Sequence, residues 1–183
     1  MKRRSRVFVG CEGKGERALA VMLQRYADDL RQPVHFEAFD AQGGSPLTIV
    51  SKSLKEARLR AKRGGPYDGG LFVLIDQDRV DADRCHAELM AACLRGRMTF
   101  VPQVDRLESL IGKLITRELG CTTSRAEREL RRLWPEVENG FDAAGLKSRI
   151  TLDTLRRSHG LGAEWSRLLQ IAGIIPLGPR RRR

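Results

Sequence analysis

The chain has 183 residues, 41% of them hydrophobic and 31% charged, a length for one packed domain and a balance that excludes a disordered or fibrous chain. Lys and Arg total 34 against 23 Asp and Glu, a formal net charge of +11. No apolar run approaches the roughly 20 residues of a membrane span, and the basic amino terminus leads into a strand without a signal-peptide core. A cytoplasmic protein with a polyanionic partner and no membrane segment is the expectation.

Much of the charge sits at the two ends. Residues 1–6 carry four positive charges, and Arg180, Arg181, Arg182 and Arg183 carry four more, leaving +3 for the body. Such arms read either as contacts to nucleic-acid phosphates or as solubilising ends. The cysteines (Cys11, Cys85, Cys93, Cys121) show no CxxC spacing and the three histidines are scattered, so reduced, mostly buried thiols are expected and a zinc site is not.

In chain order, residues 6–11 read as a first strand ending at Glu12-Gly13. A helix over 16–30 follows, with Leu19, Met22, Leu23, Tyr26 and Leu30 at helical spacing. Pro33 breaks the chain, and 34–39 form a second strand. Ser45 is suited to cap a helix and Pro46 to open it. That helix, to residue 63, turns Val50, Leu54, Ala57 and Ala61 inward and Lys52, Lys55, Arg58, Lys62 and Arg63 outward. Residues 71–75 are a buried strand running into Asp76-Gln77-Asp78. A helix over 81–95 and a short strand over 98–101, ending at Pro102, complete the alternation.

A β-α-β-α-β-α-β order implies a parallel sheet with helices on both faces. Beyond Pro102 the pattern turns helical. One helix is expected over 104–118, and another opens with the capping box Ser124-Arg125-Ala126-Glu127 and runs to Trp134. Irregular helices over 150–175 follow, burying Leu152, Leu155, Trp165, Leu168 and Leu169. The expected division is an α/β domain over 1–102 and a helical carboxyl-terminal extension with a basic tail over 103–183.

The chemistry is expected at the strand ends, because ligands of open parallel sheets sit outside the carboxyl ends of the strands. Read as strand residues two apart, Asp76 and Asp78 point to one side, and Glu12 ends a second strand; the alternative is an ordinary strand-end Asp76 with Asp78 capping the next helix. Neighbouring carboxylates repel, and a divalent cation with a preference for oxygen ligands relieves the repulsion. Glu12 then serves either as a metal ligand or as a general base. Glu16 serves either a second metal or the helix dipole, and Lys14 is either a phosphate contact or an exposed loop lysine.

Glu12-Gly13 after one apolar strand and Asp76-Gln77-Asp78 after another resemble the TOPRIM domain over about residues 6–102. That domain is shared by topoisomerases, bacterial primases, OLD-family nucleases and small stand-alone nucleases. Glu12-Gly13-Lys14-Gly15-Glu16 is similar to the E-G-x-x-E opening of RloB-like proteins of restriction and phage-defence loci, as the run from Pro102 to Leu107-Glu108 is to their Pro–acidic segment. The resemblance implies a Rossmann-like TOPRIM fold and a nuclease dependent on Mg²⁺, or on Mn²⁺, with nucleic acid as substrate and a protein partner in a defence complex. Glu12, Asp76 and Asp78 would be catalytic, and with Glu16 would hold the metal. The rival readings are a non-catalytic nucleic-acid-binding module within a larger complex and a helix-turn-helix over 151–172. A phosphatase-like αβ enzyme is a further rival, but its Lys and Ser/Thr partners have no clean equivalents.

Overall fold

Alternation along the strands decides the layers. In β1 (Ser5–Cys11) Val7, Val9 and Cys11 pack into one core and Phe8 into another. In β3 (Gly70–Asp76) Phe72 and Leu74 join the first core, Val73 and Ile75 the second. A strand buried on both faces needs a helical layer on each. The computed structural model, which describes residues 3–103 and 106–176 (the side chain of Asn139 excepted), supplies them. With β2 (Val34–Asp40) and β4 (Met98–Gln103) the strands form one parallel sheet in the order β2-β1-β3-β4.

One face is covered by α1 (Lys14–Asp29) together with the whole run of later helices. These are α5 (Leu107–Thr116), α6 (Thr123–Leu133), α7 (Ala143–Arg149), α8 (Leu152–Arg157) and α9 (Ala163–Ile171), with 3-10 turns at Pro135–Asn139 and Ser158–Leu161. The opposite face is covered by α2 (Pro46–Gly64), α3 (Gln77–Ala82) and α4 (His86–Gly96). The α/β architecture with a parallel sheet between helices is as the sequence pattern predicts. Among the described residues no helix is long and apolar enough to cross a membrane.

Several local expectations change. The single helix over 81–95 is two helices: α3 begins at once after Asp76, and the chain turns through Arg84 at φ 51° before α4. The turn lets both Val80 and Cys85 reach the second core. Ser124 does not open α6; Thr122 precedes the helix in extended geometry, and Ser124 lies in its first turn. The described part of α5 begins at Leu107, and Val104 lies outside the described residues.

The basic amino-terminal arm is also smaller than its sequence suggests. Arg6 belongs to β1, its guanidinium paired with Glu37 at 2.7 Å and laid over the Tyr67 ring at 4.5 Å. It is a cross-sheet strut, unavailable to a polyanion. Arg180 to Arg183 lie outside the described residues. The 151–172 region has the two helices and glycine turn of a helix-turn-helix outline, but Leu155, Trp165, Leu168 and Leu169 are spent in the core.

The helices of the first face meet closely. A Cβ added at Gly112 of α5 would stand 2.3 Å from the carbonyl oxygen of Ala126 in α6, a backbone atom that cannot swing aside. Gly112→Ala is therefore expected to force α5 and α6 apart and to cost about 1–3 kcal/mol. Thermal unfolding checks this, with a drop on the order of 5 °C. A melting curve matching that of the wild type would show that the contact is slack.

Candidate functional site at the strand ends

Connections from β1 run one way to β2 and, after β2, cross to β3 on the other side of β1. The reversal lies between β1 and β3, which pair directly from Val7↔Gly70 to Cys11↔Leu74. A crevice opens at such a point in doubly wound sheets. Glu12 follows β1 and Asp76 ends β3, so both stand at the reversal, and the Asp76 N–H faces Glu12 Oε2 at 3.5 Å.

Asp76 shares the strand parity of Phe72 and Leu74, which puts its side chain on the α1 and α5 face. There its Oδ1 accepts the Leu107 N–H at 2.9 Å, one of the unpaired donors at the start of α5. That single hydrogen bond does not offset its surroundings. Burial, then the charges of Glu16, Glu108 and, more weakly, Asp78, push the Asp76 carboxyl up to about 7. Glu16 is 6% exposed and folds back so that its Oε2 accepts the Gly13 N–H at 2.9 Å, the capping-box partner of α1. Burial raises its pKa first, with Glu108 and Asp40 adding to the effect.

Glu12 and Asp78 meet different fates. Glu12 is ion-paired to Arg79 of α3, whose other Nη donates to the Gly44 carbonyl at 2.8 Å. Asp78 is not a strand residue. It lies in the first turn of α3, so the strand rule that aimed it beside Asp76 does not apply, and its Oδ2 accepts from Arg106 Nε at 2.7 Å. Its Oδ1 is buried without a partner. Among the described residues no three His, Cys, Asp or Glu side chains converge closely enough, as placed, to hold a metal ion. Thus Glu16, Asp76 and Glu108 act on one another electrostatically, while two arginines engage Glu12 and Asp78.

A cleft of about 640 Å³ opens beside these acids. One wall is the start of α1, with Glu12, Lys14 and Glu16; another is α5, with Leu107 and Glu108. Arg131 of α6, Glu138 of the 3-10 turn and Phe141 just before α7 close it. Lys14 is exposed on its rim. Ser45 caps α2, as its neighbours suggest, accepting the Thr48 N–H at 3.3 Å. The basic stripe of α2 is exposed on the other side of the sheet, where Lys52 donates to the carbonyls of Ala41 and Gly43.

Arg79, Arg106, Arg131 and Phe141 are the site residues that sequence reasoning missed. Arg79 had one usable signal, a cation directly after the Asp76-Gln77-Asp78 run. The others come from the helical extension, whose docking carries no local mark. Comparison with known proteins adds no relative, since no family model matches the chain and no curated protein or solved structure does.

The raised Asp76 pKa has a signed consequence. A carboxyl that is harder to ionise when folded than when unfolded favours the folded state at low pH. That advantage is lost as pH rises from the ordinary value of 3.8 through about 7. Without added cation, Asp76→Asn is expected to raise the melting temperature at pH 8, on the order of 5 °C, and to change it little at pH 4. Equal shifts at both pH values would mean that the carboxylate is relieved by groups other than those described.

Proposed function

We propose that this protein is a Mg²⁺-dependent nuclease of the TOPRIM type, acting at the carboxyl ends of β1 and β3. One observation carries the reading. Glu16, Asp76 and Glu108 gather negative charge at the topological switch point, with one backbone N–H donated to Asp76. Uncompensated carboxylates in a half-buried crevice are a cost that a bound cation removes. The donor set is all oxygen, which suits a hard cation such as Mg²⁺ and also accommodates Mn²⁺. The unpartnered Asp78 Oδ1 adds a further oxygen nearby.

The residues divide the labour. Asp76 and Glu16 would hold the cation, Asp76 fixed by the Leu107 N–H and Glu16 by the Gly13 N–H. Glu12 and Asp78 would complete the set once released by Arg79 and Arg106. When bound, the cation neutralises a non-bridging phosphate oxygen and makes hydroxide available from water near neutral pH. Arg79, tied to both Glu12 and the Gly44 carbonyl, orients Glu12 as ligand or proton acceptor. Lys14 meets substrate phosphate at the rim. The order and spacing of Glu12-Gly13 and Asp76-Gln77-Asp78 support the TOPRIM assignment, and RloB-like phage defence with a protein partner is the setting it implies.

The engagement of Glu12 and Asp78 by arginines favours a second reading, a nucleic-acid-binding module that does not cut. Two measurements separate them. Under the nuclease reading, Mg²⁺ raises the melting temperature of the wild type, more at pH 8 than at pH 5, and fails to do so for Asp76→Ala. Labelled DNA and RNA, single-stranded and duplex, are cut with Mg²⁺ or Mn²⁺, and cutting falls at least 100-fold in Asp76→Ala. Binding of nucleic acid with no thermal response to Mg²⁺ and no cutting would establish the module instead.

A further inference from the structure

The reading above leaves open which form of nucleic acid reaches the acids, and the cleft beside them bears on this. One wall is the first turn of α1 and the far wall is Arg131 and Phe141, more than a hundred residues away in sequence. The two walls meet at Gly15. A Cβ there would stand 2.4 Å from Leu107 Cδ2 and 3.3 Å from the Phe141 ring, so the absence of a side chain lets both residues close over the helix start.

The Phe141 ring is half-buried, yet it lines the cleft. It packs edge-to-face on Trp134 at 5.7 Å and 64°, which fixes its orientation. Trp134 is itself buried in the core and capped by the Arg149 guanidinium at 4.3 Å. Trp134 and Arg149 therefore back the aromatic wall. Beside it, Arg131 is exposed and takes part in no ion pair among the described residues, whereas Arg125 and Arg132 of the same helix are paired with Glu118 and Glu129. Lys14 is the second exposed cation of the cleft.

We propose that this cleft binds an unpaired nucleotide of a single-stranded nucleic acid, with its base laid against Phe141 and the adjoining phosphates met by Arg131 and Lys14. The inference rests on the nuclease reading for one point: the acids of the cleft would repel phosphate unless a cation bound there reverses the local field. The rest follows from the shape. A base in a duplex is stacked and paired, and presents its face to no side chain until it is flipped out. An unpaired base has a free face, and stacking on an aromatic ring is indifferent to which base it is. Single strands, overhangs and frayed ends are the substrate class; intact duplex is not.

The experiment is equilibrium binding of a short fluorescent oligonucleotide to the full chain, single-stranded or annealed to its complement. It is run with Ca²⁺, and cleavage is followed in parallel with Mg²⁺. Single strand is expected to bind at least tenfold more tightly than duplex. Phe141→Leu, which keeps an apolar side chain but removes the π-face, is expected to weaken single-strand binding by roughly 5- to 100-fold, and Phe141→Tyr to restore it. Arg131→Ala, on an exposed helix face, should make the salt dependence of binding shallower by about 0.7 in the logarithmic slope, one phosphate contact.

Duplex bound as tightly as single strand overturns the proposal, as does wild-type affinity in Phe141→Leu or no binding of either form. Cleavage distinguishes this failure from that of the nuclease reading. A wild type that cuts duplex and single strand alike, unaffected by Phe141→Leu, refutes the cleft assignment and leaves the nuclease standing. Single-strand binding that needs Phe141, with no cutting in any metal, upholds the cleft and removes the nuclease.

Discussion

The hydrogen bond from the Leu107 N–H to Asp76 is the contact on which the arrangement depends. A carboxylate at the end of a strand buried on both faces must find a donor, and the start of a helix offers unpaired N–H groups and a favourable dipole end. Meeting that need fixes where α5 begins and places its first turn over the end of β3. Leu107, Leu110, Ile111 and Leu114 then extend the same core that α1 covers, and the remaining helices follow onto that face. One polar contact at the edge of the sheet thus coincides with the seam between the αβ layer and the helical run after it.

At the strand ends of this positively charged chain, carboxylates gather beside positive side chains. Arg79 and Arg106 stand over Glu12 and Asp78, while Asp76 and Glu16 depend on backbone N–H groups. The distinction is physical. A guanidinium on a half-exposed side chain can move away when a stronger cation arrives, whereas a backbone donor stays where the helix holds it. Under the proposed cation binding, the candidate site has a fixed half and an exchangeable half.

The sequence made the layered architecture legible because each strand carries its own pattern. Val7, Phe8 and Val9, or Phe72, Val73 and Leu74, announce burial on both sides, and the spacing between strands leaves room for a helical crossover each time. Glu12 and Asp76 were legible for the same reason, since a strand end is a property of local sequence. Asp78 was misplaced because a strand that stops at Asp76 and a strand that continues two residues further look alike in composition; only the immediate start of α3 separates them. Phe141 and Arg131 carried no readable signal. Their place depends on how Trp134 and Leu130 dock on the core, a matter of packing between segments far apart in the chain.

That separation bears on how the protein comes into being. The acids at residues 12, 16 and 76 are synthesised early, and the parallel strands that position them need only the chain to Gln103. The opposite wall, at residues 131–141, is added later, with α6 packed on α5 and the following α7 on α1; the α1–α7 contact is long-range, the slow class in folding because loop closure precedes any gain in contact energy. Glu12, Glu16 and Asp76 thus precede in the chain both Glu108, which completes the acid cluster, and the residues that wall the cleft. A chain that fails to dock these helices keeps the strand-end acids without the opposite wall of their cleft.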